Sequence, residues 1–83
     1  MKLAYTLHAL HVMEERGIPA EWVERAVATP QRRTRDSHDE SVERFFIRIR
    51  ERGDKVLRVA VNTESDPWRV VSTFFDRSMR GQL

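Results

Sequence analysis

Hydrophobic positions in the first 30 residues recur at helical spacing. Leu7, Leu10 and Met13 follow one another at intervals of three, which predicts a first helix with these residues on its apolar side. Thr6 precedes them and is suited to cap the amino end of this helix with its hydroxyl. Gly17 follows them, and glycine readily adopts the left-handed conformation that ends many helices. The pattern therefore predicts a helix between Thr6 and Gly17.

A second helix is predicted from Ile18 and Pro19 to Thr29 and Pro30. Proline is tolerated in the first turn of a helix, where its missing backbone donor has no partner to lose. Pro30 ends the helix, because it lacks that donor and disfavours helical geometry at Thr29. The apolar stripe of this helix consists of Trp22, Val23, Ala26 and Val27.

From residue 31 onward, apolar and polar positions alternate, which is the period of a β-strand. The predicted strands are three long ones, over residues 44–50, 55–62 and 68–76, and a short edge strand over residues 31–35. We therefore predict an α+β fold in which two N-terminal helices pack on one face of a three- to four-stranded antiparallel β-sheet. The length of 83 residues predicts that residues 1–83 form a single domain.

The composition adds an unusual balance of basic residues. The 83 residues include thirteen Arg but only two Lys, and no Cys. Arginine suits carboxylates and phosphates, so the excess indicates anion contacts, although a GC-rich genome explains it equally well. Without Cys there is no disulfide or thiolate metal cluster, and a cytoplasmic location is expected. No apolar run has the length of a membrane span or of a signal-peptide core, so no membrane partner is expected.

The basic residues of the strand region predict a nucleic-acid-binding sheet face. If Phe45 faces the helices, alternation places a basic and aromatic set on the opposite face. This set consists of Arg44, Phe46, Arg48 and Arg50, with Arg58 on the neighbouring strand. Such a face is suited to gripping an RNA backbone and stacking a base. The alternative is that these arginines form ordinary surface ion pairs with Glu43, Glu51 and Asp54.

Two histidines on the first helix are candidates for proton transfer. His8 and His11 lie three residues apart and therefore on one side of the helix, with Glu15 one turn further. Cleavage of RNA through its 2′-hydroxyl needs a general acid and base, a task that suits histidine. The alternative is that these histidines only pack or face solvent. A metal site that recruits His38 has no recognised ligand spacing, so no metal or cofactor is predicted.

The C-terminal segment, residues 76–83, follows the last predicted strand and carries two arginines. Met79 and Leu83 are suited to docking on the edge of the sheet, which places Arg77 and Arg80 within reach of an anion held there. The alternative is a frayed tail, as is common at chain ends.

Several short segments occur in the order and spacing of one family. They are His-Ala-Leu at residues 8–10, Met-Glu-Glu-Arg-Gly-Ile at 13–18, Glu-Trp-Val at 21–23, Pro30, and the segments 52–59 and 74–81. Through them the chain resembles the domain of unknown function 4258 (DUF4258) family. The resemblance implies a fold similar to the small RelE-like and BrnT-like toxins, which cleave messenger RNA and are held inactive by an antitoxin. It implies His8, Arg16, Arg58 and Thr73, or its neighbour Ser72, as the candidate catalytic residues.

One departure from the family pattern concerns the first helix. The family commonly has Arg immediately before Met13, where this chain has Val12. Two hypotheses follow: a metal-independent endoribonuclease of a toxin–antitoxin system, or a non-catalytic module that binds RNA or a protein partner through the basic sheet face. Either is compatible with a monomer or with a homodimer joined at sheet edges.

Overall fold

A computed structural model describes residues 2–83 and contains both predicted helices. Helix α1 spans Leu7–Arg16 and helix α2 spans Ala20–Ala28. The Thr6 hydroxyl accepts a hydrogen bond from the backbone N–H of Ala9 at 3.0 Å and so caps α1. Gly17 ends α1 with φ of 65°, a conformation that glycine adopts at little cost. Both predicted ends of α1 are confirmed, because they depend on neighbours in the chain.

The strands form a five-stranded sheet in the order β1-β5-β4-β3-β2. They are β1 (Ala4–Tyr5), β2 (Arg32–Arg35), β3 (Val42–Ile49), β4 (Lys55–Asn62) and β5 (Arg69–Phe75). Neighbouring strands are antiparallel except β1, which runs parallel to β5 and adds an edge that was not predicted. A strand of two residues is too short to show an alternating pattern. The α+β fold is confirmed, but the sheet is mixed and has one more strand than predicted.

The core lies between the two helices and one face of the sheet. The face that meets the helices includes Phe45, Leu57 and Val59, each of which is completely buried. Helix α1 packs on β5, and α2 packs on β3 and β4. The predicted stripe of α2, from Trp22 to Val27, is buried as expected.

The apolar side predicted for α1 is only partly correct. Met13 is buried together with Ala9, but Leu7 and Leu10 are 86% and 47% exposed. Position 9 lies one turn before position 13, so Ala9 and Met13 define the buried side. Leu7 and Leu10 lie away from this side of the helix and therefore face solvent.

The second face of the sheet, which we call the open face, carries no α-helix. It presents Arg44, Phe46 and Arg48 on β3 and Arg58 on β4, as the alternation predicts. Arg50 is not part of this face, because β3 ends at Ile49 and a 3-10 helix follows over Arg50–Arg52.

The C-terminal segment folds back over the open face. After β5, a short 3-10 helix, Arg77–Met79, contacts β4, and the Gln82 carbonyl accepts a hydrogen bond from Arg32 of β2. Phe46 lies on β3 between these two strands and is 4% exposed. The predicted role of Phe46 as an exposed stacking surface is therefore wrong, because the chain covers it.

Candidate anion-binding site

Two arginines of the open face are held by carboxylates. Arg44 binds Asp36 through two nitrogens, at 2.8 and 3.1 Å. Arg58 lies 3.4 Å from an Asp76 carboxylate oxygen and stacks 4.9 Å from the ring centre of Phe74. These carboxylate partners are not the ones that the sequence offered as alternatives, which were Glu43, Glu51 and Asp54. The open face is therefore less available to an anion than its arginine content indicates.

The predicted catalytic residues do not come together. His8 is exposed on α1, on the helical side of the sheet, whereas the Arg58 side chain lies on the open face. Thr73 is 1% exposed on the helical side, and its hydroxyl donates a hydrogen bond to the backbone carbonyl of Arg58 at 2.9 Å. The Thr73 hydroxyl thus stabilises the pairing of β4 and β5 and is closed to a ligand.

Arg16 lies at the other end of α1 from His8. Eight residues of helix separate them, which corresponds to about 12 Å along the helix axis. His11 is also exposed and pairs with Glu15 at 3.4 Å. His11 and Arg16 thus both lie beside Glu15, whereas His8 is at the other end of the helix.

Arg48 and Arg50 line a shallow cavity at the end of β3. Its volume is about 480 Å³, and its other lining residues include Arg25 and Asp54. Arg25 is engaged by Glu51, with nitrogen–oxygen distances of 2.9 and 3.1 Å. This cavity therefore combines both signs of charge.

A second cavity, which we call the basic cavity, lies where β4 begins and β5 ends. Its volume is about 560 Å³. It is lined by Arg16, Arg52, Lys55, Val56, Phe75, Asp76, Arg77 and Arg80. Five of these eight residues are cations and one is a carboxylate, so positive charge dominates the cavity. Three of the predicted site residues, Arg16, Arg77 and Arg80, meet here.

The guanidinium of Arg52 is held in a fixed position at this cavity. It donates a hydrogen bond to the carbonyl of Gly17 at 2.9 Å. It also lies over two aromatic rings, 5.3 Å from the centre of Trp22 and 5.7 Å from the centre of Phe75. Cation–π contacts of this kind hold the plane of the guanidinium. Most of the five N–H donors of Arg52 remain free for an anion.

The carboxylate of the basic cavity is already engaged. Asp76 accepts hydrogen bonds from the hydroxyl and the backbone N–H of Ser78, at 2.6 and 3.0 Å, and it pairs with Arg58. Burial opposes its ionisation, but the bonds from Ser78 and Arg58 outweigh burial and lower the pKa of Asp76. Asp76 is therefore a weak proton acceptor near neutral pH.

Four of the five cations of the basic cavity have no carboxylate bound to them. Within the part of the chain that the structure describes, Arg52, Lys55, Arg77 and Arg80 form no ion pair. Arg16 lies 3.8 Å from Glu15, and its side chain is 62% exposed. The cavity thus offers several free donors to an anion from outside.

Sequence reasoning missed Arg52 and Lys55 as site residues. They flank a turn formed by Gly53 and Asp54, whose φ angles are 62° and 61°. The turn connects β3 to β4 and brings both cations to the end of the sheet. A basic residue on each side of a glycine turn between strands is the only local signal that marks them.

Three carboxylates outside the basic cavity predict a loss of stability in acid. Hydrogen bonds hold the pKa of each at about 2: from Arg33 to Glu43, from Arg25 to Glu51, and from the His38 backbone and Arg44 to Asp36. Their unfolded pKa values are about 4. Because the folded pKa is lower, the stabilisation is complete only above a pH of about 5 and is lost as the pH falls towards 2.

We expect the free energy of unfolding in urea to fall between pH 5 and pH 3, and to fall less in the Glu43→Gln variant. The exposed Glu64 forms no ion pair within residues 2–83, so Glu64→Gln should keep the wild-type pH dependence. A Glu43→Gln variant with an unchanged pH dependence would contradict the role of the Arg33 pair.

Neither a metal cluster nor a membrane span is found in the described chain. Among residues 2–83, no three His, Asp or Glu side chains form a group that could hold a metal ion. None of the helices in the same range has both the length and the apolar composition to cross a membrane.

Comparison with known proteins gives one match. The model of a family described as a domain of unknown function (DUF4258) matches residues 5–75. No curated protein and no solved structure matches the chain. The similarity to RelE-like and BrnT-like toxins, the antitoxin partner and the cytoplasmic location stay predictions.

Proposed function

We propose that this chain, which belongs to the DUF4258 family as its short segments predict, binds the phosphate backbone of single-stranded RNA. The proposed binding site is the basic cavity. The observation that carries the proposal is the meeting of five cations at one concave surface, with the single carboxylate there engaged elsewhere. Phosphate contacts of Arg and Lys supply most of the affinity of non-specific nucleic-acid binding. RNA is proposed because the toxins that the family resembles act on messenger RNA.

Binding without cleavage fits the chemistry of the cavity. Cleavage through the 2′-hydroxyl needs groups that take up and release a proton. The cavity contains arginines, a lysine and Asp76, whose pKa is lowered, but no histidine. His8 is about 12 Å of helix away from Arg16. The proposed function is therefore the non-catalytic alternative, with the basic cavity in place of the open face.

Salt-dependent binding tests this function. A fluorescent single strand of about 12 nucleotides should bind, as measured by anisotropy, because single-strand sites span about 4–16 nucleotides. With four to five phosphate contacts, the logarithm of the affinity should fall with the logarithm of salt concentration with a slope of about −3. The RNA recovered after incubation should be intact on a denaturing gel.

Two results would contradict the proposal. Absence of binding, or binding that does not respond to salt, would exclude a phosphate-backbone site. Cleavage of the RNA by wild-type protein, but not by a His8→Ala variant, would favour the ribonuclease hypothesis instead.

A further inference from the structure

The cations of the basic cavity come from four separate segments of the chain. They come from the end of α1 (Arg16), the 3-10 helix before β4 (Arg52), the start of β4 (Lys55) and the segment after β5 (Arg77 and Arg80). A groove that tracks a nucleic-acid backbone spaces its cations along the strand. A cavity of about 560 Å³ is instead in the range of sites for small molecules. The cavity therefore has room for the end of a strand, with the terminal group on some of its cations and the next backbone phosphates on the others.

The charge of the cavity also exceeds what one backbone phosphate neutralises. Five cations and one carboxylate leave an excess of four positive charges. A phosphodiester carries one negative charge, whereas a phosphomonoester carries about 1.5 to 2 near neutral pH and has three acceptor oxygens. The excess therefore matches a phosphomonoester more closely.

The cavity offers donors from several arginines, which suits a group with three acceptor oxygens. Arg77 and Arg80 are three residues apart, and the backbone N–H of Arg80 donates to the Arg77 carbonyl. Arg77 begins the 3-10 helix and Arg80 directly follows its last residue, so this bond brings Arg80 one turn above Arg77. Arg52 lines the cavity from the 3-10 helix before β4, with its guanidinium fixed. Arginine forks bind phosphate oxygens in pairs, which adds geometric selectivity.

The cavity also has an apolar wall. Val56 is buried and Phe75 is half-buried, and both line the cavity beside the cations. Because Arg52 lies over the Phe75 ring, this wall offers apolar contact to a base or sugar and not an open stacking platform. The cavity thus combines groups for both parts of a nucleotide.

We infer that the basic cavity binds the terminal phosphate of a nucleotide, a phosphomonoester, either at the end of an RNA strand or on a free mononucleotide. This inference rests on the proposed function for the RNA strand, but it concerns the end group and not the backbone.

The test compares two RNA strands that differ only in the terminal phosphate. The 5′-phosphorylated strand should bind about tenfold more tightly than the 5′-hydroxyl strand, which corresponds to one additional charge-assisted hydrogen bond. The difference should largely disappear in an Arg77→Ser variant and persist in Arg69→Ser. Arg69 lies at the opposite end of β5, next to Ala4. Circular dichroism checks that both variants are folded.

Additional ligands distinguish the source of the phosphate. A strand with a 3′-phosphate, adenosine monophosphate and adenosine are titrated in the same assay. If adenosine monophosphate displaces the labelled RNA and adenosine does not, the inference is supported and the ligand is a free nucleotide. If either phosphorylated strand binds more tightly than the 5′-hydroxyl strand, the inference is supported and the ligand is the end of an RNA strand.

The failures are also distinct. Equal binding of the 5′-phosphate, 3′-phosphate and 5′-hydroxyl strands, without competition by adenosine monophosphate, overturns the inference and leaves the proposed RNA binding intact. Binding of adenosine monophosphate without binding of any strand overturns the proposed function and leaves the phosphomonoester site. Absence of binding by every ligand overturns both.

Discussion

Replacing Lys55 and Arg80 with serine is expected to weaken the binding of single-stranded RNA about 25-fold at 0.1 M salt. Both residues line the basic cavity, and neither forms an ion pair within residues 2–83. Each phosphate contact in a single strand contributes about 0.7 to the slope of the logarithm of affinity against the logarithm of salt concentration. The loss of two contacts therefore corresponds to a loss of affinity of about 25-fold at 0.1 M salt. The slope itself should become shallower by about 1.4. Anisotropy titrations at several salt concentrations measure both quantities.

The chain offers a matched control for this variant. Lys2 and Arg69 are also one lysine and one arginine, both exposed. They lie at the opposite end of the sheet, where Ala4 pairs with Arg69. The variant with Lys2→Ser and Arg69→Ser has the same net charge as the cavity variant. Its affinity for RNA should fall by no more than about threefold relative to wild type. Equal losses in the two variants would show that total charge, not the basic cavity, determines binding.

Replacing Phe45 with alanine is expected to remove a large part of the stability of the protein. Phe45 is completely buried between the sheet and the helices, 5.9 Å from the ring centre of Trp68. The guanidinium of Arg33 lies 4.7 Å from its ring centre. Removal of a buried phenylalanine costs about 3–5 kcal/mol, and small domains have total stabilities of about 5–15 kcal/mol. The urea midpoint should therefore fall steeply, with loss of near-ultraviolet circular dichroism at low urea.

Phe74→Ala is the control for the chemistry of this substitution. Phe74 lies on the open face, half-buried against Arg58. Its removal exposes less apolar surface and should cost about 1–2 kcal/mol. If the two variants lose the same free energy of unfolding, the core does not lie on the side of the sheet described above.

Local structure was predictable from the sequence where its cause is local. The Thr6 cap and the Gly17 terminus of α1 depend on hydrogen bonds to residues within one turn. The alternation along β3 also correctly separated Phe45 from Arg44. Ion pairs were predicted less well, because Arg44 binds Asp36 across a loop instead of a neighbour in its own strand. An extended side chain has several partners within reach, and only the folded backbone selects among them.

The burial of Phe46 was not predictable from the strand pattern. Alternation placed it correctly on the open face, but the segment after β5 covers that face. This contact joins Arg32 to Gln82, which are 50 residues apart in the chain. The two-residue strand β1 escaped prediction for a similar reason, because its pairing with β5 joins Ala4 to Arg69.

The sequence by itself determined the two helices, the faces of the long strands and the excess of arginine in the strand region. These properties depend on spacing between near neighbours, and the chain contains that spacing directly. Only the tertiary structure decided which cations meet. Arg16, Arg52, Lys55, Arg77 and Arg80 come together because α1 packs on β5 and the antiparallel pairing of β4 and β5 brings the start of one strand to the end of the other.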